Sequence, residues 1–134
     1  MAEPLRFGIV GAGMMGREHI RNLKLFADAR VVALADPVAA SNERSLKTLG
    51  EAAAGVACYD GVEAMLAGSE LDAVLVVSPN FTHRAVLEPL LRTDLAILCE
   101  KPLCTTIADA RWAAERASAR AAVFWTGKIG RAHV

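Results

Sequence analysis

The feature that most constrains the fold of this chain is a glycine-rich turn between a strand-like segment and a helix-like one. The apolar run Leu5–Val10 leads directly into GAGMMG at residues 11–16. Apolar side chains recur at helical spacing over Gly16–Phe26, and a second apolar run, Val31–Ala35, ends at Asp36. The sequence therefore predicts a dinucleotide-binding βαβ unit, because a GxGxxG turn joins a strand to a helix and an acidic residue ends the next strand.

Each glycine of this turn has a predicted steric role. Gly11 makes the tight turn, Gly13 lets the backbone approach a pyrophosphate, and Gly16 lets the helix pack close to the sheet. Met14 and Met15, between the second and third glycines, are also predicted to bind the cofactor where the helix begins. Free N–H groups and a partial positive charge at that point would attract the phosphates. The alternative for the glycines is an ordinary strand–helix turn.

Asp36 is predicted to bind the sugar next to the adenine. It follows Gly16 by twenty residues, the separation at which an acidic side chain accepts hydrogen bonds from the ribose hydroxyls. A carboxylate there repels a 2′-phosphate, so NAD is favoured as the cofactor and NADP remains the alternative. Arg44 lies nearby and could serve a 2′-phosphate, although a solvated helix position is the simpler interpretation.

The rest of the 134-residue chain alternates apolar runs with helical stretches. Its 54% hydrophobic residues include few aromatics, which suits a buried parallel sheet covered by alanine-rich helices. Further strands are expected at Val56–Tyr59, Ala73–Val77 and Ala96–Cys99, and a sixth strand is expected to begin with Ala122–Trp125. Further helices are expected at Val38–Leu49, Val62–Leu66, from a Thr82 cap to about Leu91, and from a Thr105 or Thr106 cap to about Ala119. Strands joined by helical crossovers are parallel, so the sequence predicts a doubly wound, Rossmann-type α/β fold with helices on both faces.

Charge and cysteine content narrow the possible partners. Fifteen basic residues balance fifteen acidic ones, which argues against nucleic acid or an anionic membrane as a partner. The apolar runs are too short to cross a bilayer, and the N-terminus does not resemble a signal peptide. Cys58, Cys99 and Cys104 are odd in number and lack CxxC spacing. They indicate reduced core or near-site thiols in a cytoplasmic protein, and the sequence indicates no metal site.

Two further segments follow predicted strands, at the edge where doubly wound sheets bind ligands. SPNFTH occupies residues 78–83 after the fourth strand, and EKPL occupies residues 100–103 after the fifth. The glycine turn, Asp36, PNFTH and EKPL occur in the order and approximate spacing of the Gfo/Idh/MocA oxidoreductases, named for glucose-fructose oxidoreductase and inositol dehydrogenase. The chain resembles that family from about Arg6 to Gly127.

The resemblance implies roles for these two segments. Asn80 and His83, in the segment that begins with Ser78-Pro79, would lie beside the cofactor near the nicotinamide ribose or pyrophosphate. Glu100 would help to shape that pocket, and Lys101 would point at a substrate next to the nicotinamide ring. A lysine ammonium there can hydrogen-bond the reacting hydroxyl or carbonyl and stabilise developing alkoxide charge during hydride transfer.

Simpler interpretations stay open for the charged and polar residues. His83 could be an ordinary first-turn helix residue, Glu100 could pair with a neighbouring base, and Lys101 could be a solvated loop lysine. Arg17 and His19, in the helix after the glycine turn, are expected on the surface.

The resemblance also implies a second domain that this chain lacks. Family members continue into an α/β domain that carries most of the substrate pocket and an acid–base Asp and His, and that usually mediates homo-oligomer formation. The implied activity is a dehydrogenase or reductase acting on a sugar, a cyclitol or a related compound. A stand-alone NAD(H)-sensing module is the alternative. We expect the 134-residue chain, with its NAD(P)-binding domain at residues 1–127, to bind dinucleotide weakly by itself and to turn over no substrate.

The last seven residues, KIGRAHV, are expected to be non-native. Ile129–Val134 is the translation, from its third base, of a common sequencing-adapter DNA, AGATCGGAAGAGCACACGTC, whose first two bases would complete a codon for Lys128. We therefore expect residues 128–134 to be adapter read-through, which is excluded from fold reasoning. A natural short C-terminus is the alternative, and the coding DNA decides between the two.

Overall fold

The computed structural model describes residues 3–127, which form one six-stranded parallel sheet. The strands are β1 (Leu5–Val10), β2 (Ala29–Ala35), β3 (Ala57–Tyr59), β4 (Ala73–Val76), β5 (Ala96–Glu100) and β6 (Phe124–Gly127). The helices are α1 (Met14–Leu23), α2 (Ala39–Leu49), α3 (Val62–Gly68), α4 (His83–Leu90) and α5 (Ile107–Ser118), with short 3₁₀ turns at Gly50–Ala53 and Asn80–Thr82. Residues 128–134, predicted to be a non-native tail, lie outside the described residues.

The order of the strands in the sheet is β3-β2-β1-β4-β5-β6, and all neighbouring pairs are parallel. The chain winds outward from β1 in one direction, then returns to the centre at β4 and winds outward in the other. This order confirms the doubly wound fold. Its topological switch point lies between β1 and β4, where such sheets open a crevice at their carboxyl edge.

Helices cover both faces of the sheet because successive strand residues point to opposite sides. Ile9 of β1 and Leu75 of β4 are buried against α1 and α2, in a cluster that includes Ile20 and Leu49. The neighbouring strand residues belong to a second cluster, with the inner sides of α3, α4 and α5. Burial on both faces accounts for the continuously apolar β4, which was predicted as a central strand.

Several helix boundaries differ from their predictions; α1, for example, begins at Met14 rather than Gly16. Helix α1 ends at Leu23 rather than Phe26, because the amides of Leu25 and Phe26 bond to carbonyls three residues back and turn the chain away from the helix. Thr82 precedes α4 but does not cap it. Its hydroxyl lies 2.6 Å from the Pro79 carbonyl oxygen and 2.8 Å from Ser78 Oγ. The other predicted cap is confirmed, since Thr106 Oγ1 accepts a hydrogen bond from the Asp109 amide.

Within residues 3–127, no helix combines the length and the apolar character that a membrane crossing requires.

An ion pair joins β1 to the start of β4 at the amino edge of the sheet. The amide and the Nε of Arg6 both donate to Asp72 Oδ2, at 2.8 and 3.0 Å. These hydrogen bonds lower the pKa of Asp72 from its ordinary 3.8 and raise that of Arg6. A carboxyl whose pKa is lowered by folding stabilises the fold fully above its unfolded pKa, and that stabilisation is lost as the pH falls through the folded value.

We therefore expect Asp72→Asn to reduce stability at neutral pH but not in strong acid. Urea unfolding midpoints of both proteins should differ at neutral pH. The difference should shrink as the pH falls below the ordinary pKa of 3.8 and close only once the pH has passed the lowered pKa of folded Asp72, where both side chains are neutral. Both partners are partly exposed, so the effect is expected to be small. A difference in unfolding midpoint that stays constant across the whole pH range would show that it does not arise from the charge of Asp72.

Candidate cofactor-binding site

A groove of about 1100 Å³ opens at the carboxyl ends of the strands, on both sides of the switch point. Its walls include all but one of the residues predicted to bind cofactor or substrate: Gly11, Gly13, Met14, Met15, Asp36, Ser78, Pro79, Asn80, His83, Glu100 and Lys101. The exception, Gly16, is buried behind the turn. The glycine turn, the acidic residue, PNFTH and EKPL therefore meet at one site.

The glycine turn is built around two close backbone approaches. Gly11 has a φ of +103°, and a Cβ there would lie 2.5 Å from the amide nitrogen of Ser78. A Cβ on Gly16 would collide with the carbonyl oxygen of Gly11. The contact that Gly16 permits is therefore mainly with the turn itself, and only secondly with Val77, 3.7 Å away beside the sheet.

Gly13 differs from the other two glycines of the turn. A Cβ at this position would meet no atom within 4 Å, because it would point into the groove. Gly13 also precedes the first residue of α1, and no side chain caps that helix end. No acidic residue lies in the first turn of α1, so no carboxylate of the helix itself competes for the positive end of its dipole. Open space beside uncapped amides is the geometry that a pyrophosphate requires.

Asp36 is fixed by backbone amides on two sides. Its Oδ2 accepts a hydrogen bond of 2.8 Å from the Ala12 amide in the glycine turn, and its Oδ1 accepts one of 2.8 Å from the Val38 amide. Each carboxylate oxygen can accept a further bond. The carboxylate thus ties the end of β2 to the turn and retains acceptor capacity towards the groove.

His83 is held inside the protein rather than presented to the groove as an exposed side chain. It is only 1% exposed, and its Nε2 lies 3.0 Å from the carbonyl oxygen of Ser78. Its Nδ1 lies 3.0 Å from the carbonyl oxygen of Pro102 and 3.1 Å from that of Leu103. The imidazole therefore bridges the PNFTH and EKPL segments at the wall of the groove.

The expectation that His19 lies on the surface is wrong, whereas Arg17 is partly exposed. His19 is 2% exposed, and its Nε2 lies 3.1 Å from Glu100 Oε2. Arg17 is half-buried, and its Nη1 donates to the carbonyl oxygen of Ala12. The missed signal was periodicity: Gly16, His19 and Ile20 are spaced as one inward face of a helix. Glu100 does pair with a base, as its simpler interpretation held.

Lys101 is exposed at the groove, directly after the end of β5. Among residues 3–127 its ammonium takes part in no ion pair. The peptide bond between Lys101 and Pro102 is cis. This cation is thus available to a ligand in the groove.

The cysteines offer no nucleophile to this site. Burial, more than neighbouring charge, raises the pKa of the Cys99 thiol to about 12, so it stays protonated at neutral pH. Burial also raises the pKa of Cys104. Both are buried, as expected. Cys58 is exposed because β3 is a three-residue strand at the edge of the sheet.

Several groove residues were missed by sequence reasoning. They share a position just after a strand or at the start of the following helix: Pro37, Val38, Ser41, Asp60, Gly61 and Phe81. Val38 and Phe81 expose apolar side chains, which suit contact with flat rings. The rule that ligands bind beyond the carboxyl ends of strands could have identified residues 60–61 after β3.

Comparison with known proteins agrees with the geometry of the groove. The family model described as "oxidoreductase family, NAD-binding Rossmann fold" (GFO_IDH_MocA) matches residues 5–128. The chain is 38% identical to the rhizopine catabolism protein MocA of Rhizobium meliloti, over 82% of this chain and 33% of that protein. It is 39% identical to the inositol 2-dehydrogenase of Arthrobacter sp. strain FB24, over 84% of this chain and 32% of that protein. The chain thus spans about a third of the length of these curated relatives.

Solved structures show the same fold. The scyllo-inositol dehydrogenase of Lactobacillus casei with bound NAD(H) and scyllo-inositol matches with a TM-score of 0.82 at 24% identity, covering 93% of this chain and 36% of that one. A probable dehydrogenase of Thermotoga maritima matches with a TM-score of 0.76 at 29% identity, covering 91% and 35%. Together with the family match over residues 5–128, these observations show that the chain belongs to the Gfo/Idh/MocA oxidoreductase family and forms its NAD-binding Rossmann fold.

Proposed function

We propose that this chain is the cofactor half of an enzyme that transfers a hydride between NAD and a sugar, a cyclitol or a related hydroxyl or carbonyl compound. One observation carries the proposal: a single groove is lined by an uncapped glycine turn, a fixed carboxylate and an exposed lysine free of ion pairs within residues 3–127. The first two features suit a dinucleotide, and the third suits a substrate oxygen.

The residues of the groove divide the binding task between them. The amides of Met14 and Met15 at the start of α1 would hold the pyrophosphate, and Asp36 would hold the adenosine ribose. Asn80, exposed after β4, would contact the cofactor near the nicotinamide ribose. Bound NAD supplies the hydride acceptor. The Lys101 ammonium would hydrogen-bond the reacting oxygen and stabilise its negative charge.

The relatives support the substrate class. Two of the proteins named above are inositol dehydrogenases, and one of these was solved with scyllo-inositol and NAD(H). A ring bearing several hydroxyl groups matches a site whose free cation would bind one oxygen. Because the relatives are about three times as long as this chain, we further propose that a second domain supplies most substrate contacts and an acid–base pair. Homo-oligomer formation by the longer protein stays a prediction.

Asp36→Asn tests the assignment of the ribose site. We expect this change to weaken NADH binding about tenfold, the effect of roughly one hydrogen bond to a charged group, and to weaken the preference for NADH over NADPH. Fluorescence titration of the chain with NADH and NADPH measures both effects. An unfolding curve of the variant shows how much of the lost NADH affinity follows from a less stable fold, since Asp36 also accepts a hydrogen bond from the Ala12 amide in the turn.

Asp28→Asn is the matched control, because it makes the same chemical change at an exposed position before β2, outside the groove. Its NADH affinity should stay within about twofold of the original. An Asp36 variant that binds NADH as tightly as this control would remove the ribose assignment. Failure of the unaltered chain to bind either dinucleotide would contradict the proposed function itself.

A further inference from the structure

We propose that Ser45 is a positioning residue that turns the Ala12 carbonyl into the protein interior and so keeps the groove side of the glycine turn open to phosphates. The proposal rests on the proposed function, because the task it assigns to Ser45 concerns the pyrophosphate of the cofactor. It gives a role to a buried hydroxyl on α2 that belongs neither to the sequence motifs nor to the lining of the groove.

The hydroxyl of Ser45 reaches the glycine turn from a distant part of the chain. Ser45 lies on α2, 33 positions after Ala12, and is 0% exposed. Its Oγ donates a hydrogen bond of 2.9 Å to the carbonyl oxygen of Ala12. Within residues 3–127 the Ser45 side chain makes no other hydrogen bond. Because a buried hydroxyl without a partner is costly, this contact fixes the direction of the carbonyl.

A second donor to the same carbonyl oxygen comes from α1. Nη1 of Arg17 lies 3.3 Å from it, just beyond the usual length of such a hydrogen bond. Arg17 is half-buried, and holding its long side chain in one place costs conformational entropy, whereas the short side chain of Ser45 is enclosed. We therefore assign the larger share of the contact to Ser45, and we expect its loss to loosen the carbonyl rather than to free it.

The direction of this carbonyl decides what the turn presents to the groove. The peptide bond between Ala12 and Gly13 is trans, so its carbonyl and its N–H point in opposite directions. The carbonyl is directed to the buried Ser45, and the N–H of Gly13 therefore points away from it. Gly13 lines the groove, and within residues 3–127 its N–H donates no hydrogen bond. This side of the turn thus presents a free N–H rather than a carbonyl oxygen.

Glycine at position 13 makes this orientation easy to lose. The φ of Gly13 is −79°, but glycine adopts positive φ about as readily. Rotation of the peptide would turn the Ala12 carbonyl oxygen away from Ser45, to the side where it would repel phosphate oxygens. The hydrogen bond to Asp36 does not prevent this rotation, because it comes from the Ala12 amide, which belongs to the preceding peptide. The bond from Ser45 acts on the peptide that can rotate.

The test compares ligands that carry phosphates with one that carries none. The original chain and Ser45→Ala are titrated by calorimetry with NADH, with ADP, which contains the pyrophosphate, and with adenosine. We expect the affinities for NADH and ADP to fall about fivefold, the effect of roughly one hydrogen bond, and the adenosine affinity to stay within about twofold. Ser45→Thr keeps the hydroxyl and should retain the original affinities, although its extra methyl group should lower the urea unfolding midpoint.

Ser69→Ala is the matched control. It makes the same chemical change outside the groove and also removes a hydrogen-bonded hydroxyl, since Ser69 Oγ lies 2.7 Å from the Tyr59 hydroxyl. This control should lower the unfolding midpoint yet leave the ratio of ADP to adenosine affinity unchanged. The proposal is overturned if Ser45→Ala keeps the original ratio, if Ser69→Ala lowers it equally, or if Ser45→Thr lowers it as far as Ser45→Ala.

Failure of this proposal and failure of the proposed function give different results. A chain that binds NADH and ADP, but shows no selective loss in Ser45→Ala, contradicts the positioning role of Ser45 alone. An unaltered chain that binds neither NADH nor ADP contradicts the proposed function, and the positioning role with it.

Discussion

Gly13→Ala is expected to weaken NADH binding about a hundredfold, equivalent to roughly 2.7 kcal/mol, while leaving the fold nearly as stable as before. The backbone of Gly13 has φ −79° and ψ −155°, an extended conformation open to alanine. The new methyl group would meet no protein atom within 4 Å. It would instead project into the groove, where the pyrophosphate must approach the amides of α1. NADH fluorescence titration and urea unfolding measure the two effects on the same sample.

Gly61→Ala provides a matched control for Gly13→Ala. Gly61 also precedes a helix, α3, its φ is −163°, and a Cβ there would likewise meet no atom within 4 Å. It lines the groove beyond β3, away from the glycine turn. The affinity of the Gly61→Ala variant for NADH should differ from that of the original chain by no more than about threefold. Equal loss of binding in both variants would show that the turn has no special role, and unchanged binding in Gly13→Ala would place the pyrophosphate elsewhere.

The strands, the helices and the location of the site could be predicted because their signals are local. The continuous apolar run of β4 follows from burial on both faces, and the three glycines mark one turn at fixed spacing. Parallel strands place their carboxyl ends at one edge, so the sequence predicts that Asp36 and Lys101 share a groove. This part of the prediction is confirmed by the lining of that groove.

Side-chain partnerships could not be predicted because they depend on which distant elements meet. The contact between His19 and Glu100 spans 81 positions in the sequence, and the contact between His83 and Pro102 spans 19. Thr82 has the residue type and position of a helix cap, yet Ser78 and Pro79 offer its hydroxyl nearer partners. Sequence periodicity indicates which face of a helix is buried, but not which carboxylate lies opposite a buried histidine.

Gly11→Ala is expected to act on the fold itself and to destabilise it by about 3 kcal/mol or more. The φ of +103° is strained for any residue with a Cβ. That Cβ would also lie 2.5 Å from the Ser78 amide nitrogen and 2.7 Å from the carbonyl carbon of Val77. These are backbone atoms of the segment that follows β4, so relief requires two central strand ends to separate.

The surrounding hydrogen bonds oppose such a separation. The Gly11 amide donates to the carbonyl oxygen of Ala35 at 2.8 Å, and the Val77 amide donates to that of Val10 at 2.8 Å. A methyl group at Gly11 must break one of these bonds or distort the turn, and a domain of this size is stabilised by only about 5–15 kcal/mol in total. The urea unfolding midpoint should therefore fall well below that of Gly13→Ala, the same substitution two residues away. Similar midpoints for the two variants would show that the turn yields easily, and the close approach at Gly11 would then contribute little to the fold.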